Sequence, residues 1–445
     1  MSVEFRTYLL SEIASKITKG TTPSKKDGGF SESGINYIKA ESVGFDGRID
    51  RSKFAFISED VHHKLKRSQL EVNDILFSMA GVHLGKVALV EEQHVPANTN
   101  QALALIRPIT SLVNPLYLLY FLQQREVVHF VNNAISQSAQ PNINLKQIGD
   151  LEIRLPELAV QNKVVDILSS LDRKLEINTD INQNLENIAQ AIFKSWFVDF
   201  DPVKAKMNGE QPEGMDASTA SLFPEKLVES ELGLIPEGWD AGTVGSVTAA
   251  KGGYAFKSKQ FVDEGNPVIK IKNITSAGTV TTSDCQCVDD DIAKTASRFK
   301  LSDGDLLMAM TGATVGKSGI YVSDGRDGYL NQRVARFESK VDSTQPCWFT
   351  YNLVNKDSIF EQIVGAAQGS AQPNISSKGI EQVKTVIPTF DLISKYQELV
   401  APLYAKWISN FRENSQLSEL RDTLLPKLLS GEIELGETEE MAEVN

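Results

Sequence analysis

Few residues in this chain stand in patterns that could make or break a bond. The loop GATVGKS (Gly312 to Ser318) approaches a phosphate-binding glycine loop, in which four residues separate the glycines so that successive backbone N–H groups wrap the phosphates. Here only three intervene, and position 311 is Thr311. The loop GVHLGKV (Gly81 to Val87) has the same short spacing and no hydroxyl after its lysine, so a strand-ending turn accounts for both. No two prolines are adjacent, so the Asn/Asp-Pro-Pro-aromatic tetrapeptide that holds the target amine in amino-methyltransferases is missing, as is a GxGxxG loop. The nearest approach to a metal-nuclease carboxylate set, Asp172-Arg173-Lys174, falls in a long helical pattern, where it reads as a solvated face. All five histidines precede residue 130, and Cys285 and Cys287 lack the further ligands of a zinc site, so they read as reduced bystanders. No active site emerges.

The elements that would position such residues come from the whole chain. At 445 residues it has room for about three domains, and no apolar run approaches the roughly 20 residues that span a bilayer. The opening MSVEFRTYLL has no basic segment or small-residue cleavage site, so a cytoplasmic location without membrane contact is expected. The net charge of -13 argues against a polyanionic partner until its distribution is read. Residues 1–155 hold 17 Lys+Arg against 16 Asp+Glu and residues 240–390 hold 16 against 16, so both blocks are near neutral. The deficit lies in 156–239, with 7 against 15, and in 391–445, with 5 against 11.

Those two neutral blocks are copies of each other. At an offset of 231, LEVNDILFSMAGVHLGK (70–86) lies on LSDGDLLMAMTGATVGK (301–317), with Leu70, Asp74, Leu76, Met79, Gly81, Gly85 and Lys86 matched. Ile38-Lys39 falls on Ile269-Lys270 and Asn100-Gln101 on Asn331-Gln332. One residue of slippage then superposes SAQPNI (138–143) on SAQPNI (370–375). A period this long means a duplicated domain. Within each copy, short β-branched runs predict strands and the stretches after Pro115 and Pro346 predict helices, so each copy is mixed α/β.

Each copy ends in a long helical pattern. From Ala159 to Phe197 apolar residues recur at Val164, Leu168, Leu171, Leu175, Ile181, Leu185, Ile188, Ile192 and Trp196, interrupted by Asn178 and Asn182, which predict pairing in one register. The expected partner runs from Leu392 to Leu429 through Leu399, Leu403, Trp407, Phe411, Leu417, Leu420, Leu424 and Leu428. Helices of that length would hold the copies about 50 Å apart. The polar, Pro/Gly-rich stretch after Pro202 reads as a linker and the acidic end as a disordered tail.

Two phrases, IAQAIFKSWFVDFDPVKAK (188–206) and LGLIPEGWDAGTVGSV (232–247), together with the twin SAQPNI elements, make the chain resemble the specificity subunit of type I restriction-modification enzymes essentially end to end. The resemblance implies a tandem duplication of α/β (α+β) target-recognition domains, joined by two long antiparallel coiled-coil helices in a pseudo-two-fold arrangement. Its segments are 1–156, a first recognition domain; 157–201, a spacer helix; 202–232, a linker; 233–388, a second recognition domain; 389–431, a second spacer helix; and 432–445, the tail. It also implies double-stranded DNA as partner, each domain reading half of a split asymmetric site. Two methyltransferase subunits, with restriction subunits where present, would carry S-adenosylmethionine, ATP and Mg, and this chain would bind no cofactor.

Base readout would fall to polar loop residues, Arg and Lys for guanine, Asn and Gln for adenine, with Lys, Ser and Thr on phosphates. In the first copy the candidates are Lys19, Thr21, Ser24, Lys25, Lys26, His83, Lys86, Asn98 and Asn100. In the second they are Lys251, Tyr254, Lys257, Lys259, Thr314, Lys317, Asn331 and Arg333. SAQPNI, shared by copies that should read different bases, fits a common turn or backbone contact, with Asn142 and Asn374 bonding their own loops. Trp196, Phe197, Phe200 and Trp407 are candidates for docking methyltransferase subunits or, equally, for capping the coiled-coil core. Two rival readings stay open: a two-headed protein-binding adaptor, favoured by the acidic balance, and a stand-alone methyltransferase or nuclease, opposed by the missing motifs.

Overall fold

The computed structural model describes residues 4–81, 84–133, 142–341, 347–367, 373–433 and 435. The chain divides into two units, the first built from 1–173 and 417–445 and the second from 174–416.

In the first unit a four-stranded antiparallel sheet has the order Ala14–Lys19, Leu103–Pro108, Ile75–Ser78, Val87–Leu89. Side chains alternate across it: Ile75, Phe77, Ala104 and Ile106 face the helices, while Leu76, Leu103 and Leu105 face a smaller core on the other side. A strand buried on both faces has no solvent-facing positions, which is why Ile75, Leu76 and Phe77 run without hydrophobic alternation. A second sheet, Ala55–Ile57, Ile35–Ile38, Ala97–Thr99, Gln69–Leu70, pairs its two central strands in parallel.

The second unit repeats this plan. Its main sheet runs Thr248–Gly252, Val334–Ser339, Leu306–Ala309, Ser318–Ile320, again antiparallel and again buried on both faces. Its smaller sheet likewise holds a parallel pair, Asn266–Ile269 with Tyr329–Leu330. In each copy a short antiparallel strand pair, Arg6–Leu9 with Glu152–Leu155 and Asp240–Thr243 with Lys384–Ile387, leads into a long helix.

The first long helix is Leu158–Phe197 and the second Phe390–Ser430. They pair antiparallel. In the first unit Val164, Leu168 and Leu428 share a core, and Arg421 lies 3.1 Å from Asp172. In the second, the interrupting asparagines find partners across the seam. Asn178 donates to Glu413 and Asn414 at 2.9 and 3.0 Å, Asn182 to the Trp407 carbonyl at 3.2 Å, and Asn410 to Asn182 at 3.0 Å. Asn178 and Asn410 are buried, so these bonds fix one register, because a slipped register would strand their carboxamides. The seam departs from the expected stripe in its phase. Ile188, Leu399 and Leu420 are exposed, and Ala189, Phe193, Tyr396, Val400 and Tyr404 fill the core instead.

Residues 202–232, expected to be a linker, are folded. Helices Asp201–Met207 and Ala217–Ser221 lead to the hairpin of Leu227–Ser230 with Gly233–Pro236. The polar composition conceals a few apolar anchors: Val203 and Phe223 are almost wholly buried, and Phe223 packs edge-on to Trp196 at 5.2 Å. Lys206 donates to the Phe223 carbonyl at 2.7 Å and Asp216 caps the second helix through the Thr219 N–H at 2.8 Å. Of the acidic tail, residues 434 and 436–445 lie outside the described residues; Ile433 and Leu435 pack on the first unit's core.

Candidate nucleic-acid interface

In each domain the predicted residues converge on one end of the main sheet. In the first copy, Ala14–Lys19 and Ile75–Ser78 finish there while Val87–Leu89 and Leu103–Pro108 begin. Lys19 is exposed at that end, and the chain then crosses the turn after Ala97–Thr99 so closely that a Cβ on Gly20 would lie 2.2 Å from the Thr99 and Asn100 carbonyl oxygens. The Thr21 N–H donates to the Thr99 carbonyl at 2.9 Å, and the Thr21 carbonyl accepts from the Tyr37 hydroxyl at 2.9 Å. These bonds pin the loop and leave Ser24, Lys25 and Lys26 exposed at its tip. The second copy repeats the crossing at Gly253, where a Cβ would meet the Leu330 oxygen at 2.2 Å. Tyr254 donates its N–H to that carbonyl at 2.8 Å, and Lys251, Lys257, Lys259 and Arg333 are exposed around it.

The cations at this end differ in their ion pairing from several others of the two domains. Arg107, Lys272, Lys300 and Arg336 are held by Asp74, Asp284, Asp327 and Glu338. Among the described residues Lys19, Lys25, Lys26, Lys251, Lys257, Lys259, Lys317 and Arg333 enter no ion pair, which leaves them to an outside anion. Near-neutral domains thus carry a locally cationic end.

Several predicted residues are spent on structure. Asn98 is wholly buried, donating to the Leu65 carbonyl at 3.1 Å and to Ser68 at 3.0 Å and meeting His62 at 2.5 Å, so it cannot reach a base. Asn331 is buried and accepts from the Arg333 N–H at 3.2 Å. Asn100 is half-buried and its side-chain oxygen has no partner. The neighbours Gln101 and Gln332 are exposed instead, and their match in the repeat was the signal that pointed to them. Tyr254 packs on Phe256 at 4.9 Å, leaving it half-buried. Lys86 lies over the Phe45 ring at 4.0 Å, and Thr314 and Lys317 are half-buried on the matching turn. His83 lies outside the described residues. Sequence reasoning also passed over Lys39 and Lys270, each set over an aromatic ring 231 residues from its counterpart: Phe30 at 5.5 Å and Phe261 at 3.7 Å. Burial and nearby Lys272 push the Lys270 pKa down.

The two glycine loops are turns. Gly81, Gly85, Gly312 and Gly316 all have φ between 68° and 84°, a conformation only glycine adopts without strain. The SAQPNI elements close on these turns through the main chain: Ile143 N–H donates to the Met79 carbonyl and Ile375 N–H to the Met310 carbonyl, both at 2.9 Å. Residues 138–141 and 370–372 lie outside the described residues. Among the described residues the Asn142 and Asn374 carboxamides have no bond to their loops, and both residues are exposed at the same sheet end.

The aromatic docking candidates are core residues. Trp196, Phe197 and Trp407 are 6%, 7% and 5% exposed, and Phe200 is half-buried against Trp239 at 5.5 Å. Phe197 and Phe200 of the motif FKSWFVDFDP pack on Trp239 of LIPEGW at 5.9 and 5.5 Å. Burial pushes the Cys285 and Cys347 thiols up to about 11 and about 12, away from reactive thiolate. Among the described residues no three His, Cys, Asp or Glu side chains converge as metal ligands, and no helix is long and apolar enough to cross a membrane.

A duplicated α/β domain with a cationic sheet end on each copy, carried on paired helices, defines a two-headed DNA-reading protein. The chain belongs to the family described as the type I restriction modification DNA specificity domain, whose model matches residues 2–187 and 236–394. It is 27% identical over 411 residues to the type I restriction enzyme HindI specificity subunit of Haemophilus influenzae, covering 82% of this chain and 88% of that one. It is 24% identical over 357 residues to the MjaIX specificity subunit of Methanocaldococcus jannaschii, covering 80% and 76%. The fold matches the crystal structure of a type I restriction-modification S subunit from M. genitalium, with a TM-score of 0.57, 16% identity and 96% of each chain covered.

Proposed function

We propose that this chain is the non-catalytic sequence-reading subunit of a cytoplasmic type I restriction-modification complex, each domain reading one half of a split, asymmetric DNA site. The observation that carries this reading is the recurrence, at the same sheet end of both copies, of unpaired lysines and exposed carboxamides: Lys25, Lys26, Gln101 and Asn142 in one, Lys257, Lys259, Gln332 and Asn374 in the other. Lysines there would neutralise phosphates and set the register, and carboxamides would read adenine edges in the major groove. S-adenosylmethionine would sit on two methyltransferase subunits, and ATP and Mg on restriction subunits. The exposed flanks of the long helices, with Ile188 and Leu399, would receive the methyltransferases in place of the buried aromatics.

Methylome sequencing of cells with and without the chain tests this. One bipartite motif should lose its methylation when the chain is removed, and exchanging residues 240–387 for those of another specificity subunit should change one half of the motif only. Methyl transfer by the purified chain alone, or an unchanged methylome without it, overturns the reading.

A further inference from the structure

The two copies differ in one cleft. In the first domain Phe45, Lys86, Gln123, Arg125, Val128 and His129 line a concavity of 330 Å³ beside the edge strand Val87–Leu89. Phe45 is 77% exposed and carries the Lys86 ammonium over its ring. Arg125 and His129 lie one turn apart on the helix Arg125–Asn133, both exposed and in no ion pair among the described residues. The repeat offsets map this cleft residue by residue onto the second domain. At 231, Phe45 becomes Ser276 and Lys86 stays lysine as Lys317; at 232, Arg125 becomes Asp357, Val128 becomes Phe360 and His129 becomes Glu361. The Phe360 ring stands against Gly316, where a Cβ would come within 2.9 Å of it. The second cleft is thus plugged by a ring and rimmed with carboxylates.

We infer that the Lys86, Arg125 and His129 cleft of the first domain binds a DNA backbone phosphate, an interaction the second domain lacks. The inference rests on the DNA-reading function proposed above. A planar guanidinium and an ammonium converging on one concavity suit a phosphate's oxygens, and the position, where Val87 begins at the same sheet end as the Lys19 loop, puts the cleft on the path of a duplex lying there. Binding a phosphate carries no sequence information, so the cleft adds grip and salt dependence to the first domain's binding without reading more bases.

The test uses the full chain in complex with its methyltransferase subunits, titrated by anisotropy against a duplex holding the methylated motif across a salt series. The double variant Arg125→Asp with His129→Glu, which installs the second domain's charges, should lower the slope of log K against log salt by about 0.9 for each phosphate no longer neutralised, with the methylated motif unchanged. Arg125→Gln should give about half that shift and decides the matter if the double variant fails to fold. An unchanged slope in the folded variants overturns the inference. So does loss of methyltransferase association at unchanged DNA affinity, which would assign the cleft to an acidic protein surface. A wild-type complex that shows no preference for the motif over a scrambled duplex would instead remove the DNA-reading function itself.

Discussion

In the first domain the wholly buried carboxylate of Asp74 accepts from Nε and Nη2 along one edge of the Arg107 guanidinium, at 2.8 and 2.9 Å, while Nη1 pairs with Glu71; in the second the matching Asp305 stands 3.7 Å from Arg336, which turns instead to Glu338 at 2.7 Å and the Lys300 carbonyl at 3.0 Å. The sheet is the same and its fastening is not. The same contrast holds along the loops. Gly20 and Gly253 serve one crossing, but KGTTPSKK and KGGYAFKSK share little beyond small residues and lysines. Strand order, glycine turns and the main-chain clamp of SAQPNI hold the sheet end in place, while the side chains on it change freely. A frame fixed by backbone bonds allows two recognition surfaces to diverge on one fold.

The largest effect expected concerns the helices that both units share. Inserting four residues between Leu175 and Leu185 moves the following turns by about 6 Å and parts Asn178 and Asn182 from Glu413, Asn414 and Asn410 in one step. The single insertion should abolish complex assembly, measured by size-exclusion chromatography. A matched insertion between Trp407 and Leu417 should restore it and lengthen the gap within the methylated motif, leaving both half-site sequences intact; altered half-sites would contradict the assignment. Next in size, Asp74→Ala leaves Arg107 with Glu71 alone beside a buried cavity and should cost the first unit about 3 kcal/mol, whereas Asp305→Ala should cost about 1 kcal/mol because Arg336 keeps both Glu338 and the Lys300 carbonyl. Denaturant unfolding of the two variants checks the ratio, and equal losses would show that the fastening does not differ.

How much of this was legible depended on whether a residue's role is written in its periodicity. The duplication could be read because identities such as Asp74/Asp305 and Gly85/Gly316 recur at a fixed offset. The long helices could be read because their apolar spacing persists for ten turns. The phase beyond Asn182 could not, since Ala189 and Phe193 join a core supplied by the domain as well as by the partner helix. The segment 202–232 hid because Val203 and Phe223 are isolated in a polar stretch, and only tertiary packing reveals that both are buried. In the site, lysines on glycine-rich loops were legible as exposed cations. Asn98 was not, because a carboxamide at a strand end looks the same in sequence whether it faces water or satisfies Leu65 and Ser68. Trp196 and Trp407 left two readings open for the same reason: an aromatic on an amphipathic helix does not say whether its own chain covers it.

At the sheet end, the crossing glycines give a middling test. Gly20→Ala would force a Cβ into two carbonyl oxygens and should displace the first loop, reducing affinity for the first half-site at least tenfold while leaving the second intact; Gly253→Ala should do the reverse. Competition by duplexes with one half-site scrambled measures each, and equal losses on both half-sites would mean that the domains do not read separately. The smallest effect belongs to the loop lysines. Lys25→Ala and Lys257→Ala each remove one exposed, unpaired cation, so each should weaken binding to every sequence by a similar small factor and reduce the salt slope by about 0.9. If either changes which bases are methylated, that lysine reads guanine directly. Because the net charge of the chain is -13, these few local cations act against a repulsive background, so the lone chain should bind DNA weakly and the methyltransferase subunits should raise its affinity.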